Sequence, residues 1–148
     1  MNIIDIKQEL NSYIYEEKWI KEKEEEIEEL QERTTKITTT ISDMPKGNNP
    51  IADRMAEYVA EIVDLTNEMI EEVHKFKKIQ RNIENNINSL KQPYKNILYF
   101  RYVKGYNLTE VANKIGFEYK YTCSKHGEAL EMYRKIREEE ICKKLWFY

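Results

Sequence analysis

The chain has 148 residues, 34% of them charged, a formal net charge of −3 and only four glycines and three prolines; that leaves room for one ordinary domain, or a small domain plus an extended helical element, and excludes two full-sized cores. Helical spacing of Ile, Leu, Glu and Lys predicts an all-α protein with little or no sheet. No apolar run approaches the roughly 20 residues that span a bilayer, Met1 to Lys23 lacks the pattern of a signal peptide, and two cysteines, Cys123 and Cys142, suit neither a disulfide framework nor zinc, so the expectation is a cytoplasmic protein with reduced thiols and no membrane partner.

In the first segment Ile6, Tyr13, Ile20 and Ile27 recur every seven residues, with Ile3 and Leu10 on the neighbouring turn. This predicts a coiled-coil stripe on a helix of roughly 28 residues. Glu17 and Glu24 stand at heptad partner positions, so the seam is narrow and needs a partner helix. From Arg33 to Pro50 the pattern dissolves into Thr34, Thr35, Thr38, Thr39 and Thr40, followed by Met44-Pro45-Lys46-Gly47-Asn48-Asn49-Pro50. β-branched residues and turn formers together predict a linker over 34–50.

Periodicity returns with Met55, Tyr58, Ile62, Leu65, Met69, Val73, Phe76, Ile79, Ile83, Ile87 and Leu90, the pattern of one helix of roughly 40 residues. Neither long helix can bury its stripe alone. The expectation is a long antiparallel, coiled-coil-like hairpin over 1–92, serving interaction or oligomerisation and doubled into a homo-dimer.

Charge divides the chain near the same place. Residues 1–93 hold 13 Lys/Arg against 20 Asp/Glu, and residues 94–137 hold 9 against 4. One section repels a phosphate backbone and the other attracts it.

Pro93 interrupts the long helix and opens a second region, 93–148, in which three short helices are implied. The first packs Ile97, Leu98 and Tyr102 and stops at Gly105, which tolerates the left-handed conformation that ends a helix. The second starts near Leu108-Thr109 and buries Val111, Ala112 and Ile115. Gly116 makes a tight turn, and a third helix from about Tyr119 carries Ala129, Leu130 and Tyr133 on its inner side. Helix, glycine turn, helix is the geometry by which the second member enters the major groove.

The order Ile97-Leu98-Tyr99-Phe100-Arg101-Tyr102, Leu108-Thr109-Glu110-Val111-Ala112, Ile115-Gly116 and Ala129-Leu130 resembles region four of bacterial sigma factors over roughly the last third of the chain. The whole layout, a long helical front end and a sigma-like end, looks like phage regulators of the ArpU and RinA type from low-GC Gram-positive bacteria. The resemblance implies a helix-turn-helix that binds promoter DNA in transcription regulation. It places base-reading residues at Tyr119, Lys120, Cys123 and Ser124, with Lys120 foremost. It gives phosphate contacts to Thr109 and Lys125, and to Tyr121 a thymine methyl or a sugar. Thr122 and Lys125 stand where the family pattern has apolar inward residues; either Lys125 runs its stem along the core or the helix is rotated relative to the family. Gly127 costs about 1 kcal/mol relative to Ala in a helix and marks a bend or a close approach.

Other residues have plainer readings. His74 and His126 are expected on the surface, with no second ligand at a metal-like spacing; no metal and no cofactor are expected. Cys123 reads as an inert thiol, and Tyr102 as core, with Tyr106 left open. The apolar end, Ile141-Cys142-Lys143-Lys144-Leu145-Trp146-Phe147-Tyr148, is expected to dock, into the small domain's own core in preference to a subunit interface. No Ser-His-Asp or Cys-His order and no phosphate-binding glycine loop occurs, so no catalytic residue is expected and the chain reads as no enzyme. The partners expected are double-stranded DNA, RNA polymerase and a second copy. The competing reading is a helical adaptor or small terminase-like protein that uses the same fold for protein contacts.

Overall fold

The structure is a computed structural model describing residues Met1–Trp146. Its order is α1 (Ile3–Ser42), α2 (Pro50–Asn88), α3 (Tyr94–Leu98) passing directly into a π-helical turn (Tyr99–Val103), α4 (Leu108–Ile115) and α5 (Tyr119–Trp146). The described residues contain no strand, and none of their helices is long and apolar enough to cross a membrane. Two compact units form: Met1–Glu17 with Lys78–Tyr148, and Lys18–Lys77.

α1 opens on a reciprocal cap. The Asn2 side chain accepts the Asp5 amide at 2.9 Å and the Asp5 carboxylate accepts the Asn2 amide at 3.1 Å, satisfying donors that a helix start otherwise leaves free. The helix then runs to Ser42, well past the roughly 28 residues its heptads predict, and the 34–50 linker shrinks to 43–49. The threonines explain the difference. Each hydroxyl donates to the carbonyl four residues back, Thr34 to Leu30 at 2.9 Å, Thr38 to Thr34 at 2.8 Å and Thr40 to Lys36 at 3.0 Å, with Thr35, Thr39 and Ser42 alike. The hydroxyls are thereby satisfied inside the helix instead of competing with it. Half-buried Leu30, Thr34, Ile37 and Ile41 continue the inward stripe from Ile27. After the short connection, the Asn49 side chain caps Ile51 and Ala52 at 3.2 Å each, and Pro50 takes the first helical position, where its missing amide is not needed.

In the unit Lys18–Lys77 the core is Ile20, Ile27, Met69 and Val73, flanked by Trp19, Leu30, Ile70 and Phe76. Trp19 and Phe76 lie with ring centroids 4.9 Å apart, and Lys77 pairs with Glu24. The α2 stripe differs from its expected membership: Tyr58 and Leu65 are exposed, and the buried positions are Ile62, Thr66, Met69 and Val73. Thr66 fills a core position because its hydroxyl donates to the Ile62 carbonyl at 2.7 Å, leaving only its methyl group to be packed.

The other unit does not follow the expected 1–92 and 93–148 division. Ile6, Leu10 and Tyr13 of α1 and Ile83, Ile87 and Leu90 near the end of α2 share one core with Tyr94, Leu98, Tyr102, Ala129, Leu130 and Tyr133. Helix ends far apart in sequence complete a core that the three short elements are too small to close alone. Polar contacts reinforce it: Tyr13 hydrogen-bonds Glu84, Gln80 donates to the Tyr13 carbonyl at 3.3 Å, and Arg137 pairs with Glu9 at 2.8 Å and Glu140 at 2.6 Å. Ile79, expected in the α2 stripe, is exposed here.

Candidate functional site

The site is built around two glycines. Ile97 and Leu98 are fully buried and Tyr102 nearly so, which anchors α3 and its π-helical turn. Gly105 then takes φ +79°, a backbone conformation that favours glycine, and a Cβ there would lie 2.8 Å from Ile14 Cδ1, a side-chain end that would have to turn aside. Asn107 caps α4, accepting the Glu110 amide at 2.9 Å while its amide nitrogen donates to the Glu110 carboxylate at 2.9 Å. Val111 and Ala112 are the buried face of α4; Ile115, expected inside, is half-buried. Gly116, at φ +75°, closes the helix by donating to the Ala112 carbonyl at 3.0 Å, the left-handed cap that glycine alone adopts without strain.

α5 leaves this turn at Tyr119 with Thr122, His126, Ala129, Leu130 and Tyr133 inward. Thr122 occupies its core position with the hydroxyl donating to the Glu118 carbonyl at 2.9 Å, so no rotation of the helix is needed to hide it. His126 corrects the surface expectation. It is buried, 2.8 Å from the Tyr102 hydroxyl, with the two rings stacked at 5.7 Å. Burial, aided by Lys7 and Arg101, pushes its pKa down to about 4, so the imidazole is neutral at neutral pH. Sequence spacing carried this signal, because 122, 126, 129, 130 and 133 form one helical face. Gly127 is exposed, with nothing near a built Cβ, so no close approach accounts for it.

The outward face brings most of the expected site residues together. Tyr119, Lys120, Tyr121 and Ser124 are exposed and Cys123 is half-buried, while Thr109 is exposed on the first turn of α4. Lys125 stands apart. Its ammonium lies 3.0 Å from Glu128 and within 5.5 and 5.7 Å of the Tyr121 and Tyr94 rings, and Glu128 also accepts the Tyr94 hydroxyl at 2.7 Å. Its charge is engaged locally. Among the described residues Lys104, Lys114 and Lys120 form no ion pair with a carboxylate, whereas Arg134 and Arg137 further along α5 are paired with Glu131, Glu138, Glu9 and Glu140. Lys104 and Lys114 lie 5.7 and 5.4 Å from the Tyr99 and Tyr106 rings, and Lys120 is exposed on the first turn of α5.

Two features of this end were not expected. Phe117 and Tyr121 are both exposed, with ring centroids 4.8 Å apart, and with Phe100, Lys114, Ile115 and Asn96 they line a groove of about 560 Å³. Leu145 and Trp146, at 71% and 88% exposed, continue α5 outward and are not docked in the core of their own unit. The last apolar residue of α5 packed on the core is the half-buried Ile136; past it the contacts are polar, Arg137 with Glu9 and Glu140 with Asn86. Phe147 and Tyr148 lie outside the described residues. His74 is exposed, and among the described residues no cluster of three His, Cys, Asp or Glu is placed to hold a metal ion. Compared with protein-family models, curated proteins and solved structures, the chain finds no match.

Proposed function

We propose that the chain is a DNA-binding transcription regulator of the phage type it resembles, in which α4, the Gly116 turn and the start of α5 act as a sigma region-four-like helix-turn-helix carried on a long antiparallel helical hairpin. The observation that carries this reading is the exposed first turn of α5, with Lys120 outward, following directly on the left-handed Gly116 cap of α4. In it Lys120, Ser124 and Tyr119 reach base edges from the major groove. Thr109, Lys104 and Lys114 hold phosphates, and Tyr121, its ring tilted against Phe117, meets a sugar or a thymine methyl. Lys125 supports Tyr121 and Tyr94 and makes no phosphate contact. No catalytic step is assigned to any residue.

A gel-shift titration of the purified protein against fragments of its genomic neighbourhood, with nonspecific competitor and at two salt concentrations, tests the reading. A specific shift that weakens steeply as salt rises is expected, because each neutralised phosphate releases counterions. Lys120→Glu should weaken specific binding by at least about tenfold, the order set by the loss of one base contact, and leave the helical content unchanged. Full binding by that variant moves the reading face elsewhere. The Phe117 and Tyr121 groove favours a second reading, a helical adaptor that docks an apolar side chain of a protein such as RNA polymerase. A folded protein that shifts no fragment decides for it.

A further inference from the structure

We propose that one shoulder of α2 in the unit Lys18–Lys77 is a self-association face, pairing with the same helix of a second copy in antiparallel register centred on Tyr58. Ile51, Tyr58 and Leu65 are 64%, 47% and 49% exposed. They follow one another at seven-residue intervals, so they lie along a single line of the helix, drifting only about 20° per heptad. The inward residues Ile62, Thr66, Met69 and Val73 are a separate set. The unit's own core therefore uses none of the three, and an exposed line of large apolar side chains on a helix otherwise rich in acids marks an interface.

Charge selects the occupant and its direction. Arg54 lies one turn before Tyr58 and Glu61 one turn after it, on the same shoulder by helical spacing, and among the described residues neither forms an ion pair within the chain. A two-fold axis through Tyr58 sets Ile51 against Leu65 and Tyr58 against Tyr58. The same axis brings Arg54 of each copy to within one residue of register of Glu61 of the other, on the same flank and twice by symmetry. A parallel pairing has its two-fold along the helices and sends this flank of the two copies to opposite sides of the seam, so it forms no Arg54–Glu61 pair. The Arg54 and Glu61 charges are thus complementary in the antiparallel direction alone. This inference stands independently of what the Tyr119 end of α5 binds.

Sedimentation equilibrium of the full chain is expected to give twice the 17.9 kDa chain mass, and Leu65→Glu to return the chain mass with unchanged circular dichroism, since the side chain is half-exposed. Arg54→Glu and Glu61→Arg should each weaken the dimer by about tenfold, and the two together restore it. With Cys123 and Cys142 replaced by serine, Tyr58→Cys should form an intermolecular disulfide on oxidation. Ile51→Cys should form one only when mixed with Leu65→Cys. A monomeric wild type overturns the proposal, as does a dimer indifferent to Leu65→Glu, which would assign association to another surface such as Leu145 and Trp146. Self-crosslinking of Ile51→Cys, or no rescue by the double charge exchange, overturns the antiparallel register.

Discussion

His126 holds a polar ring in a core with one hydrogen-bond partner, the Tyr102 hydroxyl. A charged imidazolium there would lose its water and sit near Lys7 and Arg101, which is why its pKa falls to about 4 from the ordinary 6.5. The linkage follows from the sign of that shift. Folded His126 binds its proton less readily than unfolded His126, so its contribution to stability is fully present above pH 6.5 and is lost as pH falls toward 4. His126→Gln keeps a group able to bond Tyr102 and does not titrate. Thermal unfolding of both proteins between pH 7 and 4 should show the wild type losing more stability than the variant in that window. Equal slopes would mean that the ring is hydrated in the folded protein. The carboxylates titrate in both proteins and cancel in the comparison.

At the scale of one element, the end of α1 shows how local preference yields to side-chain bonding. Threonine is a poor helix former by up to about 0.7 kcal/mol relative to alanine, and a cluster of five reads as a break. Back-bonding of the hydroxyls and the continued inward spacing of Leu30, Thr34, Ile37 and Ile41 keep the helix going. The preference still acts, since packing does not compensate at exposed positions. Thr35→Ala and Thr39→Ala should each stabilise the unit by about 0.5 kcal/mol, measured by urea denaturation; a loss instead would show that the hydroxyls contribute more than their propensity costs. The heptads at Ile6, Tyr13, Ile20 and Ile27 were legible because large apolar or aromatic side chains are buried at each, as were Gly105 and Gly116, whose positive φ suits the turns that end their helices. The inward positions Thr66, Thr122 and His126 were masked by their polarity, since hydrogen bonding decided their burial; for Thr122 and His126 the spacing with Ala129, Leu130 and Tyr133 was the one inward signal. Tyr119, Lys120 and Ser124 were legible as an outward face, whereas the engagement of Lys125 depends on Glu128, Tyr94 and Tyr121 meeting it from two helices.

For the whole molecule, the two units differ in core and in charge. The unit containing α3, α4 and α5 buries a twelve-residue apolar cluster and holds 15 Lys/Arg against 12 Asp/Glu, while Lys18–Lys77 has a cluster of four and a net excess of acid. The sequence showed the charge contrast but placed its boundary at Pro93, because composition along a chain does not reveal that Ile6, Leu10, Ile83 and Ile87 return to the later core. A smaller apolar cluster and acidic self-repulsion both weaken Lys18–Lys77 relative to the other unit, so unfolding should occur in two steps with this unit first. Hydrogen exchange checks the order, with amides of Leu30–Leu65 exchanging before those of Tyr94–Tyr133. Self-association through Ile51, Tyr58 and Leu65 adds a second signature, because a partner that binds only the folded unit raises its stability by mass action. The first transition should move to higher temperature as protein concentration rises and the second should stay fixed. In Leu65→Glu the first transition should lose that dependence. If instead both transitions rise together with concentration, association involves both units and the two do not unfold independently.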